Sequence, residues 1–244
     1  MAEIAVVTGA ASGIGRGVAL KLARDGFDIA ALDIKEEYDT ADEIAAMEGR
    51  RVLAVHCDVT DRKSVEAARW RVHAELGKPS VVVNCAGWSV IEPFMDNDDD
   101  FWDRALDINL RGAILVTRLF IDDLLENNGG RIVLIASDAG RVGSTGEVVY
   151  SAAKGGVMGF TKALAREMAR KSITVNCVCP GPTATPMLLV QDEKRIDALT
   201  RAIPMRRLAQ PADIAAAVAF FAGDGAGYIT GQILSVSGGL TMAG

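Results

Sequence analysis

Thr8-Gly9-Ala10-Ala11-Ser12-Gly13-Ile14-Gly15 is the stretch whose reading decides the fold. A short apolar run, Ile4–Thr8, feeds into it. A helix follows to Arg24, with Val18, Leu20 and Leu22–Ala23 on its buried side. Strand, glycine-rich turn and helix together form the phosphate-cradling start of a dinucleotide fold. Glycines let the backbone approach a pyrophosphate, and the first N–H groups of the helix point at it. A glycine motif alone is weak, since turns use glycine everywhere. Here it opens the first predicted helix, and a second strand, Asp28–Leu32, ends at Asp33.

Asp33 lies 18 residues beyond Gly15, near the expected place for a ribose-hydroxyl ligand. A carboxylate there accepts bonds from the 2′-hydroxyl of NAD and repels the 2′-phosphate of NADP. No Arg or Lys stands within the glycine turn, although Lys35 is close by. NAD is therefore the expected cofactor.

The strand–helix rhythm continues outward. Arg51–His56 reads as a strand, followed by Cys57-Asp58-Val59-Thr60 and a helix to Leu76. Ser80–Cys85 is Val-rich and uncharged, as a parallel strand buried on both faces should be. It runs into Asn84-Cys85-Ala86-Gly87. Asp99–Asn109 and Gly112–Leu125 read as helices, Arg131–Ala136 as the fifth strand and Ile173–Val178 as the sixth. Val157, Phe160, Leu164 and Met168 recur at helical intervals over Gly155–Lys171. Residues 187–203 read as a polar helical insertion, Pro211–Phe221 as a helix and Ile233–Val236 as a last strand. The pattern predicts an α/β fold: one Rossmann-type doubly wound parallel sheet of about seven strands with helices on both faces, a single domain over residues 1–244. Ligands of such a sheet bind at the carboxyl ends of its strands.

Composition narrows the function classes. A net charge of −6 argues against nucleic acid as a partner. Four cysteines, Cys57, Cys85, Cys177 and Cys179, show no zinc spacing and read as buried reduced thiols of a cytoplasmic protein. No metal is expected. Only two histidines, His56 and His73, are present, which weakens any Ser–His–Asp or metal-hydrolase reading. The chain opens on a strand without a basic leader. The uncharged run 173–190 is broken by Pro180, Pro182 and Pro186, so no membrane span is expected.

Tyr150-Ser-Ala-Ala-Lys154 places a phenol and an ammonium one helical turn apart. The ammonium favours phenolate. A proton-transfer role near neutral pH asks for a phenol far below its usual value of about 10, a difference of about 4 kcal/mol. The pair gains meaning only beside a cofactor site and a third polar group, and Ser137 at the end of the fifth strand is a candidate.

Together, Thr8-Gly-x-x-x-Gly13-x-Gly15, Asp58, Asn84-Cys-Ala86-Gly87, Asn109, Ser137, Tyr150-x-x-x-Lys154, Pro180-Gly181 and Tyr228-Ile-Thr-Gly231 resemble the short-chain dehydrogenase/reductase family, over almost the whole chain and in the family's order. Cys85 departs from the family's usual second asparagine, and Thr183 from its frequent Ile or Val. The resemblance implies hydride transfer between nicotinamide and a carbinol carbon. It implies Tyr150 as acid/base, Ser137 as the hydrogen-bonding partner of the substrate oxygen, and Lys154 as tyrosine activator and ribose ligand. Asn109 would support a water leading from the lysine to solvent. Gly9, Ser12, Gly13, Ile14, Gly15, Asp33, Asn84, Ala86 and Gly87 would line the cofactor, Asp58 and Val59 its adenine, and Pro180, Gly181, Thr183 and Thr185 its nicotinamide end.

The acyl-carrier-protein reductases of the family usually carry a basic residue where Ser12 stands and lack Asp33, which favours NAD-linked oxidation here. Cys85-Ala-Gly-Trp88, Ile135-Ala-Ser-Asp138, Arg141-Val-Gly-Ser144, Cys179-Pro-Gly-Pro-Thr183 and Leu234–Thr241 are similar to members acting on an alicyclic hydroxyacyl-CoA. The expected substrate is a 3-hydroxyacyl-CoA. A 3-oxoacyl-(acyl-carrier-protein) reductase and a simple secondary-alcohol or sugar dehydrogenase are the alternatives, with a non-catalytic NAD-binding scaffold as a different class. Trp88, Val90, Asp138, Val142, Val149 and Met187 are the expected pocket walls, and Arg141, Lys194 and Arg195 the candidates for CoA phosphates. The family resemblance implies a homotetramer. The apolar outer faces of the helices at 112–125 and 155–170 fit pairing across a two-fold axis.

Overall fold

The computed structural model describes residues 2–35 and 39–242. Its centre is a seven-stranded sheet, all pairings parallel. In chain order the strands are β1 (Ile4–Thr8), β2 (Asp28–Asp33), β3 (Val52–His56), β4 (Val81–Asn84), β5 (Gly130–Ile135), β6 (Ile173–Pro180) and β7 (Ile233–Val236). They stand in the order β3-β2-β1-β4-β5-β6-β7. The winding reverses between β1 and β4, and the carboxyl ends of those strands flank the crevice such a sheet uses for ligands.

Helices cover both faces. α1 (Gly13–Arg24), α2 (Asp39–Ala45) and α10 (Pro211–Ala222) pack on one face, where Val7, Val83, Val133 and Val178 meet Val18, Leu22, Ile44 and Ile214. α3 (Arg62–Glu75), α5 (Gly112–Glu126) and α7 (Val148–Met168) pack on the other, where Val6, Val82, Leu134 and Cys177 meet Val65, Phe120 and Val157. The two sets alternate along each strand, as a period of two requires. α4 (Asp99–Leu106), α6 (Ala139–Val142), α8 (Pro186–Leu189) and α9 (Glu193–Ala202) complete the order. Pro211 at the first position of α10 and a capping box between Gln210 and Asp213 start that helix sharply.

Three expectations change. α7 begins at Val148 rather than Gly155, so one continuous helix carries Tyr150 and Lys154, one turn apart as expected, together with the predicted segment after them. The predicted helix over Asp99–Asn109 stops at Leu106 and gives way to a π-type turn, Asp107–Arg111, leading into α5. Asn109 accounts for that: its Nδ2 donates to Ala105 O at 2.9 Å and competes with the helical ladder. The polar insertion at 187–203 is two short helices, and α2 has no counterpart in the sequence pattern.

Candidate functional site

The carboxyl ends of the strands open into a cleft of about 750 Å³. At its floor the glycine turn is shaped by backbone sterics. Gly9 adopts φ +67°, and a Cβ there would lie 3.0 Å from the backbone of Ala86. A Cβ on Gly15 would stand 2.1 Å from Gly9 O. These residues therefore form a cradle that side chains would fill. Thr8 ties the floor together, its Oγ1 accepting from Cys85 N at 3.0 Å and Ala86 N at 3.1 Å. Ser12 caps α1 in extended backbone without a side-chain bond to the helix, so the first turn keeps its N–H groups for an anion. Cradle and helix terminus fit a dinucleotide.

Gly9, Ser12, Gly13, Ile14, Gly15, Asp33, Asp58, Val59, Ala86 and Gly87 line one half of the cleft. Asp33 is fixed at the end of β2, its two oxygens accepting from Ala11 N at 2.9 Å and Lys35 N at 3.0 Å. Asp58 accepts from Thr60 N and Oγ1 at 2.8 and 2.7 Å. Among the described residues, Asp33 and Asp58 are the lining carboxylates that follow β2 and β3, and the lining cations are Lys154, Arg104 and Arg195, from α7, α4 and α9. Nearby Arg16 pairs with Glu43 instead.

Ser137, Tyr150, Lys154, Pro180, Gly181, Thr183 and Thr185 line the other half, with Trp88, Asp138, Val142, Met187 and Arg195 around them. Lys154 is buried, and its Nζ donates to Ile135 O at 2.9 Å and lies 5.6 Å from the centre of the Tyr150 ring. Burial lowers Lys154 to about 8. Burial also pushes the Tyr150 phenol well above its usual value, with the Glu147 charge adding to this and the Ser137 hydrogen bond opposing it. The expected lowering of the phenol by its lysine is not what governs it; burial is. Cys57 and Cys85 also face the cleft, each pushed up to about 12 by burial, which makes them poor nucleophiles.

Several predicted residues lie elsewhere. Asn84 does not line the cleft: strand alternation turns its side chain toward α5, where Nδ2 donates to Thr117 Oγ1 at 3.0 Å. The Asn109 side chain is spent on backbone, donating to Trp88 O at 2.7 Å and accepting from Trp88 N at 3.1 Å. It positions the wall residue Trp88. Val149 and Val90 sit behind the cleft wall, among Phe101, Ala105 and Asn97. Arg141 reaches Ile233 O on β7 rather than the cleft, and Lys194 is not among the lining residues. Two lining residues that the sequence reading missed are Arg104, 4.5 Å above the Trp88 ring, and Glu147. Glu147 stands three residues before Tyr150, and helical phase counted backward from the tyrosine is the signal that finds it.

A family model described as Enoyl-(Acyl carrier protein) reductase matches residues 9–241. The chain belongs to the short-chain dehydrogenase/reductase family. This short-chain dehydrogenase/reductase is 40% identical to an acetoacetyl-CoA reductase of Allochromatium vinosum, over 99% of this chain and 100% of that one. It is 39% identical to a human (3R)-3-hydroxyacyl-CoA dehydrogenase, over 98% of this chain and 95% of the other. In structure it is similar to a point variant of actinorhodin polyketide ketoreductase crystallised with NADPH, with a TM-score of 0.94, 37% identity and coverage of 98% and 97%. It is thus an oxidoreductase of the kind that acts on CH–OH groups with a nicotinamide cofactor. None of its helices, among the described residues, is long and apolar enough to cross a membrane.

Proposed function

We propose that this short-chain dehydrogenase/reductase interconverts a 3-hydroxyacyl-CoA and its 3-oxo form with NAD. The single observation that carries the chemistry is the convergence of Ser137, Tyr150 and Lys154 on the cleft that the glycine cradle also lines. Relatives named for acetoacetyl-CoA and (3R)-3-hydroxyacyl-CoA support the substrate class.

Tyr150 exchanges a proton with the substrate oxygen, and Ser137 hydrogen-bonds that oxygen. Burial keeps the phenol protonated, the form that serves carbonyl reduction. Oxidation asks for added positive charge beside it. When bound, an oxidised nicotinamide supplies that charge together with the hydride acceptor. Lys154, which donates to Ile135 O, would bind the cofactor ribose. Thr183 and Thr185 would hold the nicotinamide end, and Asp58 and Val59 the adenine.

Asp33 and Asp58 support NAD over NADP. Among the described residues no cation from β2 or β3 lines the cleft, so a 2′-phosphate at the end of β2 would meet the Asp33 carboxylate without an offsetting charge. Four free cysteines support a reducing, cytoplasmic setting, and the net charge of −6 disfavours nucleic acid. Exposed apolar side chains such as Leu106 and Ile114 support pairing into a homotetramer. The test is NADH formation at 340 nm with 3-hydroxybutyryl-CoA, set against NADPH formation and against simple secondary alcohols. Turnover of the thioester with NAD is expected. Equal turnover of simple alcohols, or a strong preference for NADP, would overturn the reading.

A further inference from the structure

Glu147 is a carboxylate out of place. It occupies the N-cap of α7, where an acid ordinarily bonds the first amides of its helix, yet it makes no side-chain cap bond. Its side chain turns instead to two hydroxyls, accepting from Ser89 Oγ at 2.8 Å and Ser144 Oγ at 2.7 Å. It lines the cleft and, among the described residues, has no ion-pair partner. The cations that line the cleft are engaged elsewhere or stand apart: Arg104 lies over Trp88, Lys154 donates to Ile135 O, and Arg195 comes from α9. An uncompensated negative charge is thus fixed one helical turn from the proton-transfer phenol.

A carboxylate that lines the cleft three residues before the proton-transfer phenol repels another carboxylate brought to that phenol and leaves a neutral acyl group untouched. We propose that Glu147 is a specificity residue that bars free 3-hydroxy and 3-oxo acids from the reacting position and admits their thioesters, whose acyl end is neutral. This rests on the hydroxyacyl-CoA reading above and deepens it. The two serines fix the carboxylate in place, so the discrimination does not depend on a mobile side chain.

The charge also acts on the phenol. The groups that face Tyr150 are Glu147 and Lys154 on its own helix, Ser137 after β5 and Cys179 on β6. Burial does most to hold the proton on, and of these groups the Glu147 carboxylate adds to it.

The test compares kcat/KM for 3-hydroxybutyryl-CoA, 3-hydroxybutyrate and its neutral methyl ester in wild type, Glu147→Gln and Glu147→Asp. In wild type the ester should exceed the free acid by roughly tenfold or more. Glu147→Gln should raise the acid-to-ester ratio by roughly tenfold and move the phenol limb of the pH–rate profile to lower pH, whereas Glu147→Asp should do neither. The wild-type comparison stands even if a variant does not fold. A wild type that accepts acid and ester alike, or a folded Glu147→Gln with an unchanged ratio, would overturn the inference. Failure of wild type on both thioester and ester would instead overturn the substrate reading and this inference with it.

Discussion

Replacing Lys154 by methionine should make the cofactor-free protein more stable while destroying its activity. The ammonium is buried under α7 with the Ile135 carbonyl as its hydrogen-bond partner, and burial lowers its pKa from 10.5 to about 8. A depression of that size is worth about 3 kcal/mol against the charged form. Because the folded-state pKa lies below the unfolded one, the unfolded chain binds the extra proton. Stability therefore rises with pH between about 8 and 10.5, and the full penalty is present below about 8. Methionine removes the penalty but strips Ile135 O of its donor, which costs about 1 kcal/mol. The net gain at pH 7 is about 2 kcal/mol, a rise in melting temperature of about 4–8 °C for a chain of this size. Thermal or urea unfolding of both proteins from pH 7 to 10 measures it. Cys85 is coupled to Lys154, whose charge lowers it, but burial raises it and Tyr150 far enough that both stay protonated in either folded protein below about pH 10, and Cys57 titrates alike in the two. The gap should be widest below pH 8 and close by about pH 10. A variant that is less stable at pH 7, or a gap that ignores pH, would refute the idea that the lysine is held at a cost to folding for the sake of function.

Gly15→Ala should lower stability by about 1–3 kcal/mol and weaken NADH binding, because its Cβ would meet Gly9 O at 2.1 Å. The matched change Gly225→Ala, with open space around its Cβ, should stay within about 0.5 kcal/mol; calorimetry and NADH fluorescence compare the two. Asp33→Ala should narrow the NAD-to-NADP ratio of kcat/KM by roughly tenfold or more, since the carboxylate facing a 2′-phosphate is gone. It should also raise KM for NAD, because Ala11 N and Lys35 N lose their acceptor.

Much of this fold is written in residue order. Ile4–Thr8 and Ile233–Val236 have the predicted strand limits, and the parallel sheet follows from apolar strands separated by helices. The sheet order places the glycine turn, Asp33, Ser137 and Pro180 at one edge of the molecule, so their gathering around one cleft is legible from topology. What escaped reading depends on the direction of single side chains. Asn84 reads as cofactor-facing from its motif, but strand parity sends it with Val82 into the α5 side of the sheet. Asn109 reads as part of a helix, yet its amide bonds Ala105 and Trp88 and opens a π-type turn. Val149 and Glu147 are two residues apart, yet Val149 lies only behind the wall whereas Glu147, at the N-cap of α7, lines the cleft as well. The phenol's acidity is illegible for another reason. The sequence shows the lysine that would lower it but not the burial that raises it.

The central claim is that Tyr150 moves the proton while other residues hold the cofactor. Its most direct test is Tyr150→Phe, with NADH affinity read by fluorescence and turnover of 3-hydroxybutyryl-CoA read at 340 nm. Binding should stay within about threefold of wild type and turnover should fall by at least about a hundredfold. Near-normal turnover in the phenylalanine variant would contradict it.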